Sequence, residues 1–124
     1  MPLRLMFWNS ALAPVRGNGK RTAAEVATVV DAAFSDGAAL VALCEVDELT
    51  LPEVRGRLQT PGIRRMALAE STKASRWDIG VLYVSSVVAI RKKGASLGRN
   101  AGTEIRAAQR LRVTNKLDQS SFYL

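Results

Sequence analysis

The stretch ALVALCEV, residues 39–46, is apolar on both of its alternating faces until it reaches Glu45. A strand of this kind needs cover above and below, which restricts the chain to layered folds with a sheet between other elements. LRLMFWN, residues 3–9, has the same character, with Leu3, Leu5 and Phe7 on one parity and Met6 and Trp8 on the other. It is expected to be a second strand buried on both faces, apart from Arg4 near its start. Between the two, Ala23, Val26, Ala27, Val30, Ala33 and Phe34 recur at helical spacing, the stripe of a helix packed on a core. Thr22 with Glu25 is a capping-box pattern and Gly37 a stop signal. Strand, helix and strand in this order predict a crossover unit with the two strands parallel.

A second capping pattern, Thr50 with Glu53, opens a short helix over LPEVRGRLQ, closed by Pro61-Gly62. From residue 63 strand patterns take over: IRRMALAE, WDIGVLYVSS, VVAIRKK, AAQRLRVTNK and SSFYL, separated by turn signals at STKAS, GASLGRNAG and KLDQSS. These elements predict a single domain over residues 1–124, mixed α/β (α+β), with one mixed sheet of five or six strands and two helices.

Absent residues narrow the chemistry. There is no histidine, which excludes Ser-His and Cys-His nucleophile systems, the commonest general base and nearly every zinc site. A single cysteine, Cys44, rules out an internal disulfide; its place in the apolar run predicts a buried, reduced thiol. No apolar run approaches the roughly 20 residues that cross a bilayer, and MPLRLMFWNS lacks the features of a secretory signal. A cytoplasmic protein without a membrane partner is expected.

The net charge of +7 is uneven. Up to residue 60 there are six Lys/Arg against seven Asp/Glu, and beyond it twelve against four. A basic second half attracts phosphate-bearing partners, nucleic acid above all; the plain alternative is a solvated, soluble face.

Glu45 ends its strand as Asn9 ends the other, both at the carboxyl ends of strands expected to be parallel, where ligands bind in open α/β sheets. If the two faces coincide, the pair lies within about 5–6 Å. An amide oxygen beside a carboxylate suits Mg²⁺ or Mn²⁺. The competing reading has Glu45 opening the acidic loop EVDEL and Asn9 starting a turn. RGNGKRT, residues 16–22, lacks the spacing of a phosphate loop, although Lys20 and Arg21 lie in a loop on the same edge as Asn9 and are candidates for phosphate contact. Arg91, Lys92 and Lys93 are further candidates, within a basic strip that would include Arg99, Arg106, Arg110 and Arg112 if those strands form one sheet; with 6% aromatics the chain lacks the aromatic interleaving typical of single-strand binders. Asp78 reads as a core-edge residue paired with Arg76 or another base rather than a catalytic one, and Trp8 and Trp77 as packing residues.

LRLMFWNS, ALVALCEVDE and RWDIGVLYVSS, in this order, resemble the endonuclease/exonuclease/phosphatase family with its DNase I-like fold. The resemblance runs over residues 3 to 90 and more weakly to the end. It implies a β-sandwich flanked by helices, of which the first half is expected here, and metal-assisted hydrolysis of phosphate esters in nucleic acids or small phosphodiesters. It also implies that Glu45 is a ligand of the catalytic Mg²⁺ or Mn²⁺, with Asn9 beside the same site.

Family members complete the site with a D-x-N motif and a near-terminal aspartate-histidine pair, and this chain has neither a D-x-N nor a histidine. The expectation is therefore an amino-terminal portion of such a domain, inactive alone. Two helices would cover only one face of an apolar sheet, so self-association or a completing chain is expected at the other face. The alternatives are a non-catalytic basic module of the same fold that binds nucleic acid or other phosphate-bearing partners, or a subunit completed by a second chain.

Overall fold

The computed structural model of the chain describes residues 2–12, 21–46, 49–67, 78–100 and 103–124; within the strands, the side chains of residues 67, 78, 93–100 and 103–110 lie outside that description. Among the described residues, seven strands and two helices follow in the order β1 (Arg4–Asn9), α1 (Ala23–Ser35), β2 (Ala38–Val46), α2 (Thr50–Arg57), β3 (Ile63–Ala67), β4 (Asp78–Val84), β5 (Val88–Asn100), β6 (Thr103–Asn115) and β7 (Ser121–Tyr123). They form two sheets, β1-β2-β4-β3 and β5-β6-β7.

The crossover unit is present as expected. β1 pairs parallel to β2, and β4 runs antiparallel to both β2 and β3. The Thr22 hydroxyl accepts the Glu25 N–H at 3.2 Å to start α1, and Gly37 ends it at φ +95, a backbone conformation that costs glycine little. α1 lays Val26, Ala27, Val30 and Phe34 against Val41, Leu43, Val46 and Leu82 of the sheet, and α2 adds Leu51 and Val54. Gly80 of β4 lies under this contact: a Cβ there would stand 2.6 Å from Leu51 Cδ2. The start of α2 differs from the expected capping box. The helix already includes Thr50, and Leu49, in helical backbone conformation, occupies the N-cap without a side-chain cap. Pro52 is accommodated because the first turn has no internal use for its missing N–H.

The expected single sheet is two. Leu40, Ala42 and Val81 on the second face of the first sheet are buried against Val88, Leu111 and Val113 of the other, so helices, sheet and sheet stack in three layers. The chain itself supplies both sheets of the sandwich, and the apolar face expected to lie open is largely covered. The segment GASLGRNAG, expected as a loop, is extended through Asn100. Register shifts between Lys92 and Gly94 and between Leu97 and Arg99 let the β5–β6 ladder absorb residues that are poor strand formers.

Burial is incomplete at one end of the first sheet. β1 is an edge strand, and Phe7 is 62% exposed rather than buried. Cys44, two positions beyond the buried Ala42 on the same face of β2, is also exposed, against the expectation of a buried thiol. Neither belongs to the core that the described apolar residues of the second sheet form with the first.

Candidate metal centre

Strand pairing decides which side chains share a face. Phe7 is in register with Ala42, Trp8 with Leu43 and Asn9 with Cys44. Asn9 therefore points to the side of the second sheet, while Val41 and Leu43 face the helices. By simple alternation Glu45 would follow Leu43 to the helix side, away from Asn9. A bulge prevents this: the β2–β4 register shifts between Cys44 and Val46, and Glu45 takes φ +57. Val46 then returns to the helix-side core, and the extra residue is re-aimed, which is what bulges near functional sites do.

The proximity expected of the pair is thus present, but by way of the bulge rather than a shared strand parity. The Asn9 side-chain NH₂ donates to Glu45 Oε1 at 3.0 Å. Its oxygen accepts the Ala11 N–H at 3.2 Å, a local turn that fixes which way the amide faces. Among the described residues Asn9 is the only hydrogen-bond partner of the Glu45 carboxylate, so Oε2 keeps its acceptor capacity.

Ser10 is the residue that sequence reasoning passed over. It is fully buried, and its hydroxyl lies 2.9 Å from the Cys44 carbonyl and 3.4 Å from that of Glu45. The Ser10 N–H also donates to the Cys44 carbonyl, at 3.3 Å. These contacts tie the end of β1 to the backbone of the bulge. The signal was a small polar residue directly after the strand-ending asparagine.

The other candidates scatter. Arg21 lies with its guanidinium carbon 5.1 Å from the centre of the Trp8 ring, over a side chain on the opposite parity of β1 from Asn9; Trp8 itself packs against the helix-side core. Lys20, Arg76 and Trp77 fall outside the described residues, as does the side chain of Asp78, the first residue of β4. Arg91 and Lys92 are exposed on β5 in the second sheet, and Lys93 is the extra residue at a register shift there, its side chain outside the description.

Chemically the Asn9–Glu45 pair offers one anionic oxygen and one amide. No group of three or more His, Cys, Asp or Glu side chains gathers anywhere among the described residues, around this pair included. Hard divalent cations accept such a partial set, because Mg²⁺ keeps several waters and takes one or two carboxylates with substrate phosphate. Beside the pair, Phe7 and Cys44 are exposed.

No protein-family model matches the sequence, and no curated protein does. Solved structures do. An endonuclease/exonuclease/phosphatase from Bacteroides vulgatus matches with a TM-score of 0.73 at 12% identity, over 98% of this chain and 50% of that one. The fold is that of the endonuclease/exonuclease/phosphatase proteins. Two further structures with this fold are a mannosyl-6-phosphatase from Bacteroides thetaiotaomicron and the catalytic domain of human Nocturnin with a bound sulfate anion. The phosphatase matches with a TM-score of 0.72 at 18% identity, over 98% of this chain and 49% of its own. For Nocturnin the values are 0.61, 14%, 98% and 48%. The chain spans about half the length of these structures.

Proposed function

We propose that this chain is part of a divalent-metal-dependent phosphoesterase or nuclease domain, in which Glu45, held by Asn9, binds Mg²⁺ or Mn²⁺ at the carboxyl ends of β1 and β2. The observation that carries the reading is the bulge at Glu45, a left-handed non-glycine residue that brings a carboxylate within hydrogen-bond reach of Asn9. The endonuclease/exonuclease/phosphatase fold supports the same reaction class.

In this reading the Glu45 carboxylate provides the anionic oxygen, and Asn9 holds it in place through Oε1 while leaving Oε2 without a hydrogen-bond partner among the described residues. Ser10 fixes the backbone beneath. A bound divalent ion supplies Lewis-acid polarisation of a phosphate-ester oxygen. The chain has no imidazole to move a proton, so alone it is expected to bind the ion without useful turnover. A completing chain would meet the exposed residues Phe7, Asn9 and Cys44. Substrates would be phosphate esters of nucleic acids or small phosphodiesters, and the single exposed thiol suits a reducing, cytoplasmic setting.

Calorimetric titration with Mn²⁺ tests the reading. The wild-type chain should bind, and Glu45→Gln, which keeps the shape and removes the charge, should weaken binding by at least about tenfold. Equal affinity in the two proteins would remove Glu45 from the site.

A further inference from the structure

The positive charge of the molecule belongs to one layer. Residues 88–124, which form the second sheet, contain eight Lys/Arg against two Asp/Glu, and so account for +6 of the net +7. Strand pairing shows where part of it lies. Ile90, Val113 and Phe122 stand in register across β5, β6 and β7 and pack into the core between the sheets. The next row, Arg91, Arg112 and Tyr123, therefore faces outward. All three are exposed, Tyr123 by 61%.

Two arginines directly opposite each other on neighbouring strands repel. The ion pairs among the described residues are Arg4–Asp36 and Arg57–Glu53, so neither Arg91 nor Arg112 is neutralised by one. The adjoining outward row, Ala89, Thr114 and Ser121, brings no charge. Two like charges and an aromatic ring thus lie in a line about 10 Å long across a sheet face. That line complements a flexible polyanion carrying flat groups: guanidinium for phosphate, phenol ring for a base.

We propose that the outer face of β5-β6-β7 is a binding surface for single-stranded nucleic acid, with Arg91 and Arg112 on phosphates and Tyr123 stacked on a base. It is separate from the Asn9–Glu45 end, which lies on the other sheet across the apolar core, and it needs no metal.

Fluorescence anisotropy of a labelled oligothymidylate, titrated with the 124-residue chain in EDTA, tests this. Binding should weaken with salt, and Arg91→Gln and Arg112→Gln should each reduce the slope of log K against log salt by about 0.7. Tyr123→Ala should weaken binding about tenfold or more, and Tyr123→Phe should restore it. The proposal is overturned by absence of binding at low salt, or by variants that bind like the wild type. Equal competition by a duplex of the same length, or by polyglutamate, would also overturn it. Because metal is withheld, this assay and the Mn²⁺ titration can fail independently.

Discussion

At φ +57, Glu45 sits in the left-handed region, where a residue with a Cβ costs about 1–2 kcal/mol. Glycine would be the economical occupant of such a bulge. The strain is held by neighbours: Ser10 binds the Cys44 and Glu45 carbonyls, and Asn9 binds the carboxylate. A reversal of the usual strand preference follows. Glu45→Gly should be more stable than Glu45→Ala by about 1 kcal/mol in urea unfolding, whereas glycine in an ordinary strand is the worse residue. Equal stabilities, or alanine above glycine, would show that the bulge is not strained. Asn9 and Glu45 were readable as a pair from the sequence because both end apolar strands. The bulge was not, since one residue's φ is set by partners from two other segments.

Among the elements, α1 and the segment after α2 are joined by Asp31. Its carboxylate accepts the N–H groups of Gln59 and Thr60 at 2.9 and 3.1 Å and the Thr60 hydroxyl at 2.8 Å. Partial burial favours the protonated acid, but the hydrogen bonds from Gln59 and Thr60 outweigh it and hold the Asp31 pKa below the usual carboxylate range. A folded value below the unfolded one of about 4 means stability that is fully present above pH 4 and is lost as pH falls through the folded value. Asp31→Asn should therefore cost about 1–2 kcal/mol at pH 7, with the difference from wild type shrinking below pH 4; a difference independent of pH would contradict the clamp. α1, β1, β2 and their parallel pairing were legible because the helical stripe and the doubly apolar runs are local patterns. The second sheet was not, because membership of a sheet depends on distant pairing. The glycines at Gly94 and Gly98 also read as a loop, although register shifts carry β5 through that segment.

For the whole molecule, layering separates two properties that the sequence runs together. The helices and first sheet carry nearly balanced charge and the carboxylate–amide pair, while the second sheet carries the basic field and buries the face that two helices could not cover. Large exposed apolar residues remain at Phe7, Leu49, Leu117 and Tyr123, on different elements, and isolated residues of this kind are ordinary for a protein surface. Phe7 is the exception in position, since it shares a sheet face with the exposed Asn9 and Cys44. That face can be interrogated directly, because Cys44 is the only cysteine, is exposed, and is in register with Asn9. A trifluoromethyl tag attached to Cys44 and followed by fluorine NMR during Mn²⁺ titration reports a paramagnetic ion in its neighbourhood. Broadening of the tag resonance in the wild-type chain, absent at the same Mn²⁺ concentration in Glu45→Gln, is the expected result; broadening that is equal in both proteins, or absent in both, would contradict a metal held by Glu45.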